Sequence, residues 1–268
     1  MRFIFVVDER FVSDGTLEMP IDWIPVSQEC LNSSSIIFNT FDDLDKEVLQ
    51  VLASKSPNIY AIGPLASLSK NSLEIQYDLL NSSLWKEDTS CIEWLNTMEP
   101  KSVVYVNYGS MTVMSNHHLK EFAWGLANSK YPFLWVFRPD LVIGESTILP
   151  REFLKEIKGR GYIISWCPQQ KVLSHSAVGV FLTHCGWNSI LEALSEGNVT
   201  AINPDIKREN VEALVKEMME GDNGQRIRQK ALEWKKKAEA AISLGGSVVT
   251  NFDKMINEAL SHGRVVKS

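Results

Sequence analysis

The chain has 268 residues and a formal net charge of −6, from 27 Lys and Arg residues against 33 Asp and Glu residues. This length suffices for one large domain or two small ones, and 44% apolar with 22% charged residues is typical of a globular protein, which excludes a disordered or fibrous chain. The acidic balance argues against a protein that binds nucleic acid through its phosphates.

The cysteines and the apolar runs indicate the compartment. Cys30, Cys91, Cys167 and Cys185 lie far apart without a CxxC pair, so the sequence predicts neither a disulfide framework nor a zinc site. The longest apolar runs have the length of strands, far below the ~20 residues of a membrane-spanning helix. Because the apolar start is also too short for a secretory signal, we expect a cytoplasmic protein without a membrane span.

Short β-rich runs alternate with amphipathic stretches from about residue 34 onward. Residues 35–39 predict a strand, residues 40–54 a helix and residues 59–62 a second strand. Residues 65–90 are polar and rich in Ser and Asn without a clear period, which is typical of a linker between domains.

The pattern is stronger after this linker. Ser115 is expected to cap a helix, and Gly197 to end another. The predicted strands are 102–107, 132–138, 162–165 and 178–183, and the predicted helices are 92–96, 150–159, 169–174, 188–195, 207–220, 223–242 and 247–260. This alternation predicts an α/β fold with a doubly wound, mostly parallel sheet and an all-helical end.

The stretch 183–189 joins a predicted strand to a predicted helix. In a doubly wound sheet, ligands bind where a strand ends and a helix begins, because the amide groups and the dipole of the helix favour an anion. Gly186 permits close backbone approach, while His184, Asn188 and Ser189 supply side-chain donors at the same point. A phosphate is therefore the expected ligand.

Two further side chains extend this candidate site. One turn along the helix, Glu192 is suited to accept hydrogen bonds from vicinal sugar hydroxyls, and Trp166, after another strand, is suited to stack on a base. The whole stretch 166–197 strongly resembles the signature box of the plant UDP-dependent glycosyltransferases that modify small metabolites. Residues 104–110 resemble the strand and glycine turn that lead into the donor pocket of that family.

The resemblance implies a role for each matching residue in binding a UDP-sugar. Trp166 corresponds to the residue that stacks on uracil, Gln169 and Glu192 to residues beside the ribose, and Trp187 to a residue beside the donor sugar. The diphosphate contacts correspond to His184, Asn188 and Ser189, with Ser110 as a further phosphate contact. The UDP-sugar is then a donor substrate, and the resemblance implies no cofactor and no metal.

The resemblance also implies a Rossmann-like fold of the two-domain GT-B type. The donor domain is largely present, whereas the acceptor domain is only a remnant. We expect this remnant at 1–66, a linker at 67–90, the donor domain at 91–246, and a C-terminal helix and tail at 247–268. The implied partners are a UDP-sugar and a small-molecule acceptor.

The sequence departs from the family pattern in two respects, which suggest a truncated and internally deleted chain. The Asp-Gln pair that binds sugar hydroxyls in the family is missing, because the matching spacing falls on Arg208 and Glu209. We expect the same deletion to remove one strand of the sheet. The catalytic His of the family and the Asp that orients it have no identifiable counterpart, so no catalytic residue is assigned.

Two interpretations remain open at this point, with imperfect folding after the loss of a strand as a third. By resemblance, the chain transfers a sugar, with glucose expected, from a UDP-sugar to a hydroxyl of a small lipophilic metabolite. Alternatively, it is a catalytically inactive fragment that binds UDP or a partner, because a general base must reach the acceptor hydroxyl.

Overall fold

The computed structural model of the chain describes three-quarters of its length. The described residues are 3–6, 35–55, 58–71, 85–108, 114–137, 142–143, 149–201 and 206–264. The chain forms two compact units, of which one comprises Met1–Tyr77 with Lys235–Ser268 and the other comprises Asp78–Trp234. The domain boundaries predicted from the sequence stay a prediction.

The first unit contains a three-stranded parallel sheet with the order β1-β2-β3. Its elements are β1 (Phe3–Val6), β2 (Ser35–Phe38), α1 (Asp42–Lys55), β3 (Ile59–Ala61) and α2 (Leu65–Asn71), and the C-terminal helix α10 (Ser247–Arg264) also belongs to it. Helix α10 is fixed to β3 by side chains. Asn251 donates to the carbonyl of Ala61 over 3.0 Å, and the Tyr60 hydroxyl donates to the Glu258 carboxylate.

The second unit contains a five-stranded parallel sheet with the order β10-β9-β4-β6-β8. The strands are β4 (Val103–Asn107), β6 (Phe133–Val136), β8 (Gly161–Ile164), β9 (Val178–Thr183) and β10 (Val199–Ala201), and β5 (Met114–Ser115) and β7 (Val142–Ile143) form a separate parallel pair. The helices are α3 (Ser90–Leu95), α4 (Asn116–Ser129), α5 (Arg151–Glu156), α6 (Gln169–Leu173), α7 (Trp187–Glu196), α8 (Arg208–Glu220) and α9 (Asp222–Ile242), the last of which continues into the first unit.

Helices cover both faces of the five-stranded sheet. All five residues of β4 and all six of β9 are buried, as expected for central parallel strands that have neighbours above and below. Because successive side chains of a strand point to opposite faces, Val104 and Val106 pack with α4, α5 and α8. Val103 and Tyr105 pack instead with α3, α6 and α7. The predicted α/β, doubly wound parallel fold is confirmed.

Several local predictions are confirmed at single residues. Strand β9 has the predicted bounds, and the Ser115 hydroxyl caps α4 by accepting from the amide of His118 over 3.2 Å. Gly197 ends α7 in the left-handed conformation, with φ of 72°. None of the helices in the described ranges is long and apolar enough to cross a membrane.

The sequence did not predict helix α2 or the short strands β1, β5, β7 and β10. Helix α2 lies at the start of the predicted linker, where Ser residues obscure the helical period. Strand β10 begins two residues after Gly197 and pairs with β9 at the edge of the sheet, in a segment for which no strand was predicted. The expected loss of one strand relative to the family stays a prediction.

Candidate functional site

The candidate site lies at the point where the strand order of the five-stranded sheet reverses. From β4, the chain proceeds to β6 and β8 on one side and returns to β9 and β10 on the other. The last residues of the two central strands, Asn107 and Thr183, are paired in register. In doubly wound sheets, ligands bind outside the carboxyl ends of the strands at such a reversal, so the topology alone indicates this edge.

A sharp turn connects β9 to α7 at this edge. Cys185 adopts a left-handed backbone with φ of 61°, which non-glycine residues rarely do outside functional or strongly constrained sites. Gly186 is the N-cap residue of α7 and offers no capping side chain. A Cβ atom at position 186 would lie 2.5 Å from Nε2 of His184, so the glycine lets the imidazole lie against the helix start. This helix end favours an anion.

The Gln169 side chain connects three of the elements that end or begin at this edge. Its Nε2 donates to Oε2 of Glu192 over 2.7 Å and approaches Oγ of Ser189 at 3.4 Å. Its Oε1 accepts from the Tyr105 hydroxyl over 2.9 Å and from Nδ2 of Asn107 over 2.7 Å. The amide of Gln169 therefore joins the end of β4 to the first turns of α7.

Burial keeps the groups beneath the site neutral. Desolvation raises the pKa of the Tyr105 hydroxyl well above its ordinary value, and the neighbouring Cys167 thiol adds to this effect. Desolvation likewise raises the pKa of Cys167 to about 12 and that of Cys91 to about 11. Because only the thiolate is a strong nucleophile, these cysteines serve as packing groups at neutral pH.

The structure brings together part of the predicted residue set by direct contact. Gln169, Ser189 and Glu192 form one hydrogen-bonded group, and His184 lies beside Gly186. Trp166 is partly buried after β8, and its carbonyl accepts from the amide of Asp88 over 3.0 Å. Trp187 and Asn188 occupy the first turn of α7, whereas Ser110 lies outside the described residues.

Arg208 and Glu209, at the spacing of the missing Asp-Gln pair, begin α8. The Nε atom of Arg208 donates to the two carboxylate oxygens of Glu121 on α4 at 3.0 and 3.2 Å, and Nη2 bonds to the same carboxylate. Hydrogen bonds from Arg208 lower the pKa of Glu121 to about 2. Arg208 thus joins α8 to α4 through its guanidinium group.

The sequence alone predicted no role for Tyr105 or Asn107, although both contact Gln169. The available signal was their position: two polar residues, spaced by two, in a strand that is otherwise Val. Such a pair shares one face of the strand, and polar atoms buried there need partners. Within the part of the chain that the structure describes, no group of His, Cys, Asp or Glu side chains is placed to hold a metal ion.

Comparison with protein families and curated proteins identifies the relatives of the chain. The family model described as UDP-glucoronosyl and UDP-glucosyl transferase matches residues 85–216. Linamarin synthase 1 of Manihot esculenta is 45% identical over 307 residues, which cover 94% of this chain and 64% of the relative. The 7-deoxyloganetin glucosyltransferase of Gardenia jasminoides is 44% identical over 308 residues, which cover 95% of this chain and 64% of the relative.

These alignments also bear on the predicted internal deletions. The chain spans about 64% of the length of these two relatives. An alignment of 307 residues is longer than the 268 residues of the chain, so the relative carries internal segments that the chain lacks.

Solved structures agree with this relationship. UGT2 of Phytolacca americana, complexed with UDP-2fluoro-glucose and pterostilbene, is 30% identical with a TM-score of 0.72, covering 86% of this chain and 56% of that one. Os79 from O. sativa, in complex with UDP, is 28% identical with a TM-score of 0.74, covering 89% of this chain and 60% of that one. The predicted GT-B fold is confirmed, and the chain belongs to the plant UDP-dependent glycosyltransferase family.

Proposed function

We propose that the chain binds a UDP-sugar, with glucose as the expected sugar, and transfers the sugar to a hydroxyl of a small lipophilic metabolite. The observation that carries this proposal is the group formed by Gln169, Ser189 and Glu192 at the start of α7, on the edge where the strand order reverses. It places acceptors for ribose hydroxyls beside a helix end that favours a diphosphate.

Each predicted residue has a role in this proposal. Trp166 stacks on uracil, Gln169 and Glu192 bind the ribose, and Trp187 lies beside the sugar. The diphosphate is bound by His184, Asn188 and Ser189, with Ser110 as an additional phosphate contact. Support comes from the two related solved proteins, whose complexes contain UDP or UDP-2fluoro-glucose.

The proposed transfer breaks the bond between the anomeric carbon and the UDP oxygen and forms a bond to the acceptor oxygen, with inversion. Negative charge develops on the departing UDP, where the amide groups of α7 and His184 stabilise it. The acceptor hydroxyl loses its proton to a general base. The resemblance assigns that role to none of the described residues.

The lack of an assigned general base among the described residues favours a second candidate function, which is UDP binding without sugar transfer. The specific observation is Arg208, which stands at the spacing of the sugar-binding pair yet bonds to Glu121 on α4. A chain with a uridine and diphosphate site but without sugar contacts and a base binds the nucleotide and leaves the sugar in place. In both candidates the residues 91–246 form the donor part and the residues 1–66 the acceptor remnant.

Isothermal titration with UDP tests what the two candidates share. We expect saturable binding that Glu192→Ala weakens about tenfold or more, the range for a hydrogen bond to a charged group. Glu196→Ala is the matched control, because it removes a carboxylate one turn further along the same helix. An unchanged affinity in Glu192→Ala, or no binding at all, contradicts the proposed site.

Release of UDP from UDP-glucose in the presence of small lipophilic alcohols then separates the candidates. Transfer predicts a glucoside product together with stoichiometric UDP. Binding without turnover supports the second candidate.

A further inference from the structure

The buried side chains Tyr105 and Asn107 lie directly beneath the proposed ribose contacts. Tyr105 has no exposed surface and Asn107 is 8% exposed, and both lie on the face of β4 that packs against α6 and α7. A buried polar side chain requires hydrogen-bonding partners, because each unsatisfied group costs stability. The hydrogen-bonding partners of Tyr105 and Asn107 therefore indicate the role of these two residues.

Both residues donate to the same atom, Oε1 of Gln169, at 2.9 and 2.7 Å. Asn107 also donates to the Tyr105 hydroxyl over 3.1 Å. The hydroxyl therefore accepts a hydrogen bond from Asn107 and donates one to Gln169. An amide oxygen can only accept and an amide nitrogen can only donate. Two donors at one end therefore fix which end of the Gln169 amide faces the interior.

The other end of the amide then faces the site. Nε2 of Gln169 donates to Oε2 of Glu192 over 2.7 Å, whereas a reversed amide would place two oxygens in that contact. The carboxylate of Glu192 is held from a second element, α6, in addition to its own helix α7. The orientation of the ribose-binding acid is thus set by contacts that begin at β4.

We infer that Tyr105 and Asn107 are positioning residues for ribose recognition, acting through the orientation of the Gln169 amide. The inference rests on the proposed function, because it assigns Gln169 and Glu192 to the ribose. Tyr105 and Asn107 do not touch the nucleotide in this account. Their effect is on the recognition of ribose hydroxyls and not on the binding of the base or the diphosphate.

The test compares the affinities of UDP and 2′-deoxy-UDP by calorimetry. In the unmodified chain, we expect UDP to bind about tenfold or more tightly than 2′-deoxy-UDP, since the missing hydroxyl leaves a charged acceptor without its partner. Tyr105→Phe removes one donor to Gln169 without changing the packing volume. This substitution should weaken the affinity for UDP roughly threefold to tenfold and leave the affinity for 2′-deoxy-UDP nearly unchanged. The ratio of the two affinities should therefore fall.

Tyr162→Phe is the matched control. Tyr162 lies in the same apolar cluster, and its hydroxyl bonds to Ser90 over 2.8 Å, away from Gln169. This variant removes a tyrosine hydroxyl that is partly buried and does not contact Gln169, and it should leave the affinity ratio unchanged. Asn107→Ser, which shortens the other donor, should reproduce the pattern of Tyr105→Phe by a separate route.

A double-mutant cycle shows whether Tyr105 acts through Gln169. In a Gln169→Ala background, Tyr105→Phe should have no further effect on UDP affinity, whereas a general loss of packing would persist there. If neither Tyr105→Phe nor Asn107→Ser changes the affinity ratio, the inference is wrong while the proposed function stands. The same holds if the unmodified chain binds UDP and 2′-deoxy-UDP equally well. An unmodified chain that binds no UDP contradicts the proposed function and removes the inference with it.

Discussion

The two faces of the five-stranded sheet are both buried but differ in chemistry. The face against α4, α5 and α8 packs in a core of apolar side chains, which includes Phe122 of α4 and Phe153 of α5, both without exposed surface. The face against α3, α6 and α7 contains Tyr105, Cys167 and Asn107 among its apolar residues, and these polar groups bond to one another and to Gln169. The comparison indicates that the first face stabilises the unit, whereas the second also orients the candidate site.

The largest expected effect comes from paired truncations on the two faces. Phe122→Ala and Phe181→Ala each remove a fully buried ring and should destabilise the chain by about 3 to 5 kcal/mol in urea unfolding. Phe181 stacks on Tyr105 with ring centroids 4.8 Å apart, so the milder Phe181→Leu should also weaken UDP binding. Phe122→Leu should leave the UDP affinity of the folded chain unchanged. Equal effects of the two Leu variants on binding contradict the division of roles.

A smaller effect is expected where α4 and α8 approach each other on the apolar face. A Cβ atom at Gly125 would lie 2.5 Å from Cβ of Val211 and 2.8 Å from the carbonyl oxygen of Arg208. Gly→Ala inside a helix normally stabilises it, but here the clash should reverse the sign and cost about 1 to 3 kcal/mol. Lys120→Ala, at an exposed site of the same helix, is the control. A Gly125→Ala chain with a raised midpoint of thermal unfolding refutes this packing.

The cap of α4 gives a smaller effect still. Ser115→Ala removes the acceptor for the amide of His118 and should cost about 1 kcal/mol, or a fall of about 2 to 4 °C in Tm. Ser115→Asp keeps an acceptor at the cap and should retain most of the stability. Because Ser115 is not among the residues assigned to the nucleotide, UDP affinity should not change in either variant.

The smallest effect concerns pH and the contact between Glu121 and Arg208. The pKa of Glu121 is lowered from 4.5 to about 2, so its contribution is fully present above pH 4.5 and is lost as the pH falls toward 2. The stability difference between the unmodified chain and Glu121→Gln should therefore shrink over that window. Glu212→Gln, which removes an exposed pair with Lys216 on α8, is the control. A difference that stays constant with pH contradicts the assigned pairing.

Local sequence signals predicted much of the fold, because they act over a few residues. An unbroken apolar run specified β9, a serine before a helical period specified the cap of α4, and a glycine specified the end of α7. Strand β10 has three residues and follows the polar Asn198, so neither a period nor an apolar run marks it. Its pairing with β9 is a tertiary contact.

The candidate site shows the same division between features that local sequence signals predict and features that depend on tertiary contacts. The signature stretch predicted the residues of the candidate site, and the carboxyl ends of parallel strands explain why such residues converge. The contacts that orient Gln169 were not predicted, because they join β4 to α6 across more than 60 residues of sequence and α6 to α7 across 23. Only the fold brings Tyr105 and Asn107 beneath that amide.

A thermal melt with and without UDP tests the central claim, that the second unit carries a UDP site, most directly. At a hundredfold excess over Kd, a ligand that binds only the folded state adds about 2.7 kcal/mol, which corresponds to a rise of roughly 5 to 10 °C in Tm. We predict a cooperative transition shifted upward by this amount, and a smaller shift for Glu192→Ala at the same UDP concentration. A melt that UDP does not move contradicts the account.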